Sequence, residues 1–209
     1  MFNAVLFDWD GTLLDSAEAG LRCYQRLFGS FGIAFDRDRF AETYSPDWYR
    51  TYEKVGLPRE KWAEADVAWL EMYAGEVCPL LEGAREALTL LDEAGMPFAL
   101  VTSGSRRRVE RELASFGLDS RFRAVVCSED VARKKPHPEA LHVGLSRLGV
   151  AAAEAAYVGD SPEDVEMARA AGVFSVGVAG PFPNRDALRA SAPDEFAESL
   201  AFAVRRLLA

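Results

Sequence analysis

Ala4-Val5-Leu6-Phe7-Asp8-Trp9-Asp10-Gly11-Thr12-Leu13-Leu14-Asp15-Ser16 decides how the rest of the chain is read. A short apolar run stops abruptly in two carboxylates one residue apart. Side chains alternate along a strand, so Asp8 and Asp10 share one side if the extended backbone continues that far. Taken alone, the segment is also satisfied by a buried strand ending in an Asp-Gly turn.

Working outward, similar apolar runs recur at Phe98 to Val101, Ala124 to Cys127, Ala156 to Val158 and Phe174 to Val178. Between them lie segments with apolar residues at helical spacing: Ala84 to Leu91, Val109 to Phe116, Glu139 to Leu148 and Pro162 to Ala171. Gly95, Gly117, Gly149 and Gly172 follow these segments, where a left-handed cap residue ends a helix. Alternating strands and helices predict an α/β fold, a parallel sheet with helices on both faces.

The alternation is interrupted between Ser16 and about Glu82. That stretch carries helical patterns over Ala17 to Phe31, Asp38 to Val55 and Arg59 to Val77, and no convincing strand. It reads as a small α-helical insertion over residues 16–82, with the α/β core formed by 1–15 and 83–209. Because it leaves and returns at the end of the sheet where Asp8 sits, it is expected to roof that edge, which is where open α/β sheets bind ligands. Its aromatic residues Trp48, Tyr49, Tyr52, Trp62, Trp69 and Tyr73 are read as packing at helical spacing.

The chain has 209 residues, 24 Lys and Arg against 33 Asp and Glu, and a net charge of -9. Such a surface disfavours nucleic acid and anionic membranes as partners. The densest basic run, Arg106-Arg107-Arg108, is read as a solvated helix start. Cys23, Cys78 and Cys127 are widely spaced, and His137 and His142 do not form a metal motif, so neither a disulfide framework nor a zinc site is expected. With no signal-like leader and no apolar span of ~18 to 20 residues, the expected compartment is the cytoplasm.

Three other segments carry chemistry to the same edge. Gly159-Asp160-Ser161-Pro162-Glu163-Asp164 follows an apolar run; Ser161, Pro162 and Asp164 make a good helix start with a capping-box acid. That role leaves Asp160 unexplained. A carboxylate there would repel Asp8 unless a cation lay between them, and hard oxygen donors suit Mg²⁺. Val101-Thr102-Ser103-Gly104-Ser105 offers hydroxyls and backbone N–H groups at a helix start, suited to capping or to a phosphate. Lys134-Lys135-Pro136-His137-Pro138 supplies cations beside a stiffened turn.

In order and spacing these segments resemble the four motifs of the haloacid dehalogenase-like hydrolase superfamily, in its phosphoglycolate phosphatase-like branch with a helical cap. The D-x-D-G-T-L-x-D-S pattern beginning at Asp8 is matched in full; the K-P-x-P run at Lys135 and the G-D-S-x-x-D run at Asp160 support it. The resemblance implies a Rossmann-like core with the cap at 16–82, and a Mg²⁺-dependent phosphatase acting on a small phosphorylated metabolite. It implies that Asp8 is the nucleophile and Asp10 the general acid and base. Asp8, the backbone carbonyl of Asp10, and Asp160 would hold Mg²⁺, with Asp164 near it or bridged by water. Thr102 with Ser103 would bind the phosphoryl group, and Lys135 rather than Lys134 would offset its charge.

Trp9 stands where phosphonate-cleaving relatives also carry Trp, but those relatives and the dehalogenases lack an acid at position 10. Asp10 therefore argues for an ester. A phosphosugar mutase shares the same core and is the alternative reading. A non-catalytic phosphate-binding module has no need of paired Asp8 and Asp10.

Overall fold

The computed structural model describes residues 2–45 and 47–209. Six strands, β1 (Ala4–Phe7), β2 (Phe98–Val101), β3 (Ala124–Val126), β4 (Ala155–Gly159), β5 (Phe174–Val178) and β6 (Glu195–Ala197), form one sheet in the order β3-β2-β1-β4-β5-β6. All adjacent pairs are parallel. The apolar runs are strands for a physical reason: alternate residues of β1 enter different cores. Val5 and Phe7 pack with Leu88, Leu91, Val109, Leu113, Val204 and Leu207 on one face, while Leu6 packs with Leu141, Leu145, Met167 and Ala168 on the other.

The flanking helices α5 (Ala84–Glu93), α6 (Arg106–Phe116), α7 (Glu139–Leu148) and α8 (Pro162–Ala171) fall where the apolar periodicity predicts them. β6 and the helices α9 (Arg185–Ala190) and α10 (Leu200–Leu208) were outside that expectation. β6 has three residues and lies at the sheet edge, so it carries no apolar run to reveal it.

Register places the chemistry. Phe7 is level with Leu100 on β2 and with Val158 on β4. Asp8, Thr102 and Asp160 therefore emerge together at the carboxyl ends of three adjacent strands. Strand order reverses between β1 and β4, which opens a crevice at that edge.

Between β1 and α5 lie α1 (Ala17–Ser30), α2 (Arg37–Thr43), α3 (Trp48–Val55) and α4 (Trp62–Tyr73). The pattern from Asp38 to Val55 is thus two helices, not one. The break includes Tyr44 and Ser45, just before Pro46, which lies outside the described residues; a proline disfavours helical backbone in the residue preceding it. Asp36 and Asp47 cap the two pieces by accepting from Arg39 N and Tyr49 N. The pattern from Arg59 to Val77 also contracts: a 3₁₀ turn at Arg59–Lys61 precedes α4, which stops at Tyr73. Gly75 disfavours continuation, and Glu76 is taken up by Arg22 and Arg26 of α1 at 2.6 and 2.8 Å.

The two segments joining this helical unit to the sheet hydrogen-bond to each other. Asp15 N donates to Pro79 O, and Leu81 N to Leu13 O, both at 2.9 Å. The unit has its own apolar centre in Tyr24, Leu27, Phe28, Phe40 and Tyr52, which also takes in Phe182 from the loop after β5.

Candidate active site

Asp8 is the first residue beyond β1 and is buried. Its Oδ1 accepts from Lys135 Nζ at 2.7 Å. The same ammonium donates to Asp164 Oδ1 and to the Tyr157 hydroxyl, both at 2.8 Å, so its three protons are directed to three oxygens. Geometry therefore separates the two lysines: Lys135, 5 % exposed, reaches Asp8. Tyr157 is a component that sequence reasoning missed, since on β4 it reads as one more buried strand residue.

Asp164 does make the capping box with Ser161. Its Oδ2 accepts from Ser161 N and Oγ at 3.1 and 2.7 Å, and its Oδ1 from Lys135 and Tyr157. All of its acceptor capacity faces protein donors. Asp160 differs: its Oδ1 is 3.5 Å from Thr12 Oγ1, while its buried Oδ2 has no partner among the described residues.

Carboxylate oxygens of Asp8, Asp160 and Asp164 lie within 4.8 Å of one another. Three carboxylates balanced by the single Lys135 ammonium leave two negative charges. Burial, then Asp164 and Asp8, pushes the Asp160 carboxyl well above its ordinary range. Burial likewise raises the Asp8 carboxyl to about 7, against the pull of Lys135 and with Asp164 adding to the rise. An orphaned carboxylate oxygen in an all-oxygen donor set short of two positive charges fits a hard divalent cation. Two glycines let the backbone come close to that carboxylate. A Cβ on Gly11, whose φ is 80°, would lie 2.2 Å from Asp160 Oδ2, and one on Gly180 would lie 2.8 Å from it.

Asp10 is gripped by Arg108, whose Nη1 donates to Oδ1 at 2.9 Å while Nη2 donates to Oδ2. Burial raises the Asp10 carboxyl, but the Arg108 charge and its hydrogen bonds more than reverse this and hold it below the usual carboxylate range. Behind Arg108 stand Glu112 at 3.5 Å and, donating to Glu112 at 2.7 Å, the buried indole N–H of Trp9. The Tyr73 ring covers the guanidinium at 5.0 Å. A solvated helix start is therefore the wrong reading for Arg108, which is 8 % exposed. Three adjacent helical residues point in different directions, and only the third meets the site. Gly104 permits that approach, because a Cβ there would lie 2.3 Å from Arg108 Nη2.

Thr102 and Ser103 border the same space. Thr102 Oγ1 accepts from Gly104 N at 3.0 Å, closing a tight turn. The start of α6 is not an open anion site, since Glu129 already accepts from Arg106 N at 3.0 Å. Asp8, Asp10, Asp160, Thr102, Ser103 and Lys135 all line one cavity of about 420 Å³.

The roof of that cavity is aromatic. Trp48, Tyr49, Tyr52, Trp69 and Tyr73 line it, so packing describes them incompletely. Trp62 alone of the six singled out lies off the lining; it stacks on Tyr49 and donates to Leu57 O at 2.9 Å. Among the contacts that tie roof to sheet edge, Phe182 stacks on Tyr44 at 4.3 Å, and Ser45 Oγ donates to Glu163 at 3.0 Å. The sequence signal for Phe182 was its place in Gly180-Pro181-Phe182-Pro183, a loop after a strand end. Among the described residues no helix is long and apolar enough to cross a membrane.

Residues 5–178 match the family model of haloacid dehalogenase-like hydrolases. The chain is 32 % identical over 206 residues to the pyrophosphatase PpaX of Bacillus velezensis, covering 95 % of this chain and 93 % of that protein. It is 37 % identical to a phosphoglycolate phosphatase of Pectobacterium atrosepticum, covering 92 % and 86 %. In fold it resembles a haloacid dehalogenase-like hydrolase structure from Bacteroides fragilis, with a TM-score of 0.89, 24 % identity, and 97 % and 100 % of the two chains covered.

Proposed function

The chain belongs to the haloacid dehalogenase-like hydrolase family, and from that premise we propose that it is a Mg²⁺-dependent phosphatase that hydrolyses a small phosphate monoester through an aspartyl-phosphate on Asp8. The observation that carries this reading is the buried group of Asp8, Asp160, Asp164 and Lys135 at the ends of β1 and β4, with Asp10 beside it in the same cavity.

Asp8 attacks phosphorus, and the bond to the leaving oxygen breaks. Lys135, fixed by Asp164 and Tyr157, keeps a positive charge against the nucleophile and the incoming phosphoryl oxygens. Thr102 and Ser103 contribute hydroxyls on the β2 side. Asp10 serves the leaving oxygen in the first half and takes a proton from the attacking water in the second. The hold of Arg108 keeps Asp10 ionised, which suits the second half directly. Proton donation in the first half requires that hold to loosen, and a leaving group stable as an anion departs without it. Asp8, the Asp10 backbone carbonyl and Asp160 would hold Mg²⁺, with Asp164 near them holding Lys135 and the Ser161 turn in place. When bound, the ion supplies charge against the phosphoryl oxygens.

The helices of 16–82 act as a cap whose small, aromatic cavity fits a phosphoglycolate-sized substrate, as the names of two relatives suggest. Free, buried Cys23, Cys78 and Cys127 agree with a cytoplasmic enzyme. Phosphate release from p-nitrophenyl phosphate and from 2-phosphoglycolate tests the reading, with Mg²⁺ and with excess chelator. Release that needs Mg²⁺ and vanishes in Asp8→Asn is the expected result. Conversion of sugar phosphates to isomers without net phosphate release would support a mutase instead.

A further inference from the structure

Lys134 precedes the lysine that holds Asp8, yet its side chain goes elsewhere. Its Nζ lies over the Trp48 ring, 3.4 Å from the centroid, and 4.8 Å from that of Tyr49, both on α3 of the roof. It lines the same cavity as Asp8, Asp10 and Asp160.

Most other charged groups lining that cavity have hydrogen-bond partners. Lys135 meets Asp8, and Arg108 meets Asp10. Asp66 accepts from Trp48 Nε1 at 2.9 Å and from the Tyr49 hydroxyl at 2.7 Å, and Glu129 accepts from Arg106 N. Asp160 is short of a cation, as described above. Among the described residues the Lys134 ammonium makes no hydrogen bond and has no carboxylate within the 4.0 Å of an ion pair. Burial pushes its ammonium down, with Asp66 and Asp47 opposing only through space.

A half-buried ammonium resting on aromatic faces keeps its three N–H donors and has lost part of its water. Its charge, without an ion-pair partner among the described residues, stands on the roof side of the cavity, opposite in sign to the carboxylate-rich floor. We propose that Lys134 forms the subsite for a second anionic group of the substrate, so that this enzyme prefers phosphate esters whose leaving group itself carries a carboxylate or a further phosphate. The proposal rests on the phosphatase reading and deepens it. A purely structural alternative makes Lys134 a latch between roof and core through Trp48.

The test compares wild type, Lys134→Met and Lys134→Arg on four phosphates: 2-phosphoglycolate, its neutral counterpart 2-hydroxyethyl phosphate, inorganic pyrophosphate, and p-nitrophenyl phosphate. Loss of a charge-assisted contact should lower kcat/KM of Lys134→Met for 2-phosphoglycolate and pyrophosphate about tenfold or more, mainly through KM. The other two substrates should change little, and Lys134→Arg should recover most of the loss. Equal loss on all four substrates supports the latch and overturns the proposal, as does no loss on any. A wild type that releases phosphate from none of them overturns the phosphatase reading itself, a result distinct from either.

Discussion

Both carboxylate oxygens of Asp10 are held by the guanidinium of Arg108, although the two residues are 98 positions apart. The pair is backed by Glu112 and Trp9, so removing the cation would leave two carboxylates facing each other in a largely buried place. Breaking one side of such a pair costs about 3 to 5 kcal/mol. Arg108→Met is expected to lower the urea midpoint accordingly at unchanged slope. Adding Asp10→Asn should return part of the loss, giving a coupling of about 1 kcal/mol or more between the two sites. Strictly additive losses would mean that the pair contributes nothing as a pair.

Asp8 and Asp10 should respond differently to the same chemical change. Asp8→Asn keeps the shape and removes the nucleophile, so turnover should fall to background. Asp10→Asn removes proton transfer, worth ~10² to 10⁴ in rate, and should hurt alkyl phosphates more than p-nitrophenyl phosphate. Borohydride quenching during turnover, which reduces an acyl phosphate to the alcohol, followed by mass spectrometry of the Asp8 peptide reads the covalent step. An Asp8 side chain left unreduced while phosphate is released at the usual rate would mean that water attacks directly.

Asp160, whose Oδ2 has no partner among the described residues, predicts a stability effect independent of turnover. Mg²⁺ at a hundred times its dissociation constant should stabilise wild type by about 2.7 kcal/mol through mass action. Asp160→Asn should lose most of that response while remaining folded. A full thermal shift in the variant would place the ion elsewhere.

Tyr157→Phe tests how Lys135 is held. The hydroxyl accepts one of the three ammonium protons, and a hydrogen bond to a charged group contributes ~1.5 to 3 kcal/mol. The expected result is a lower urea midpoint together with reduced kcat. Wild-type kcat in a destabilised variant would show that Asp164 and Asp8 position Lys135 without it.

Gly11→Ala should be more damaging than its size suggests. The position has φ 80°, which costs an L-residue about 1 to 2 kcal/mol, and the added Cβ would meet Asp160 Oδ2 at 2.2 Å. The Mg²⁺-dependent thermal shift should therefore be lost along with activity; a retained shift would show that the Asp160 carboxylate can move aside.

Residues 4–7, 98–101 and 174–178 are legible as strands, and Glu139 to Leu148 and Pro162 to Ala171 as helices, because burial imposes a local period on side chains. Asp8, Asp10, Asp160 and the Lys-Pro step were legible for a related reason: each follows a strand or opens a turn at a short, fixed spacing. Such spacing brings Asp8 close to Asp160 once β1 and β4 pair. The breaks in the insertion were less legible, since apolar periodicity runs across Tyr44-Ser45 while a following proline and local caps decide where helices stop.

Tertiary structure decided the matters that depend on direction rather than order. Whether Arg106, Arg107 or Arg108 enters the site turns on about 100° of helix rotation per residue and on a missing Cβ at Gly104. Whether Lys134 or Lys135 meets Asp8 turns on which way each leaves a proline-stiffened turn. Tyr157 became a partner of Lys135 and Asp164 only when β4 lay beside β1. The sequence by itself determined the α/β alternation, the strand-end carboxylates and the place of the insertion. Which charges find partners, and which are left to a cation or a substrate, depended on distances between residues about 20 to 150 positions apart in the chain, and no local period encodes those.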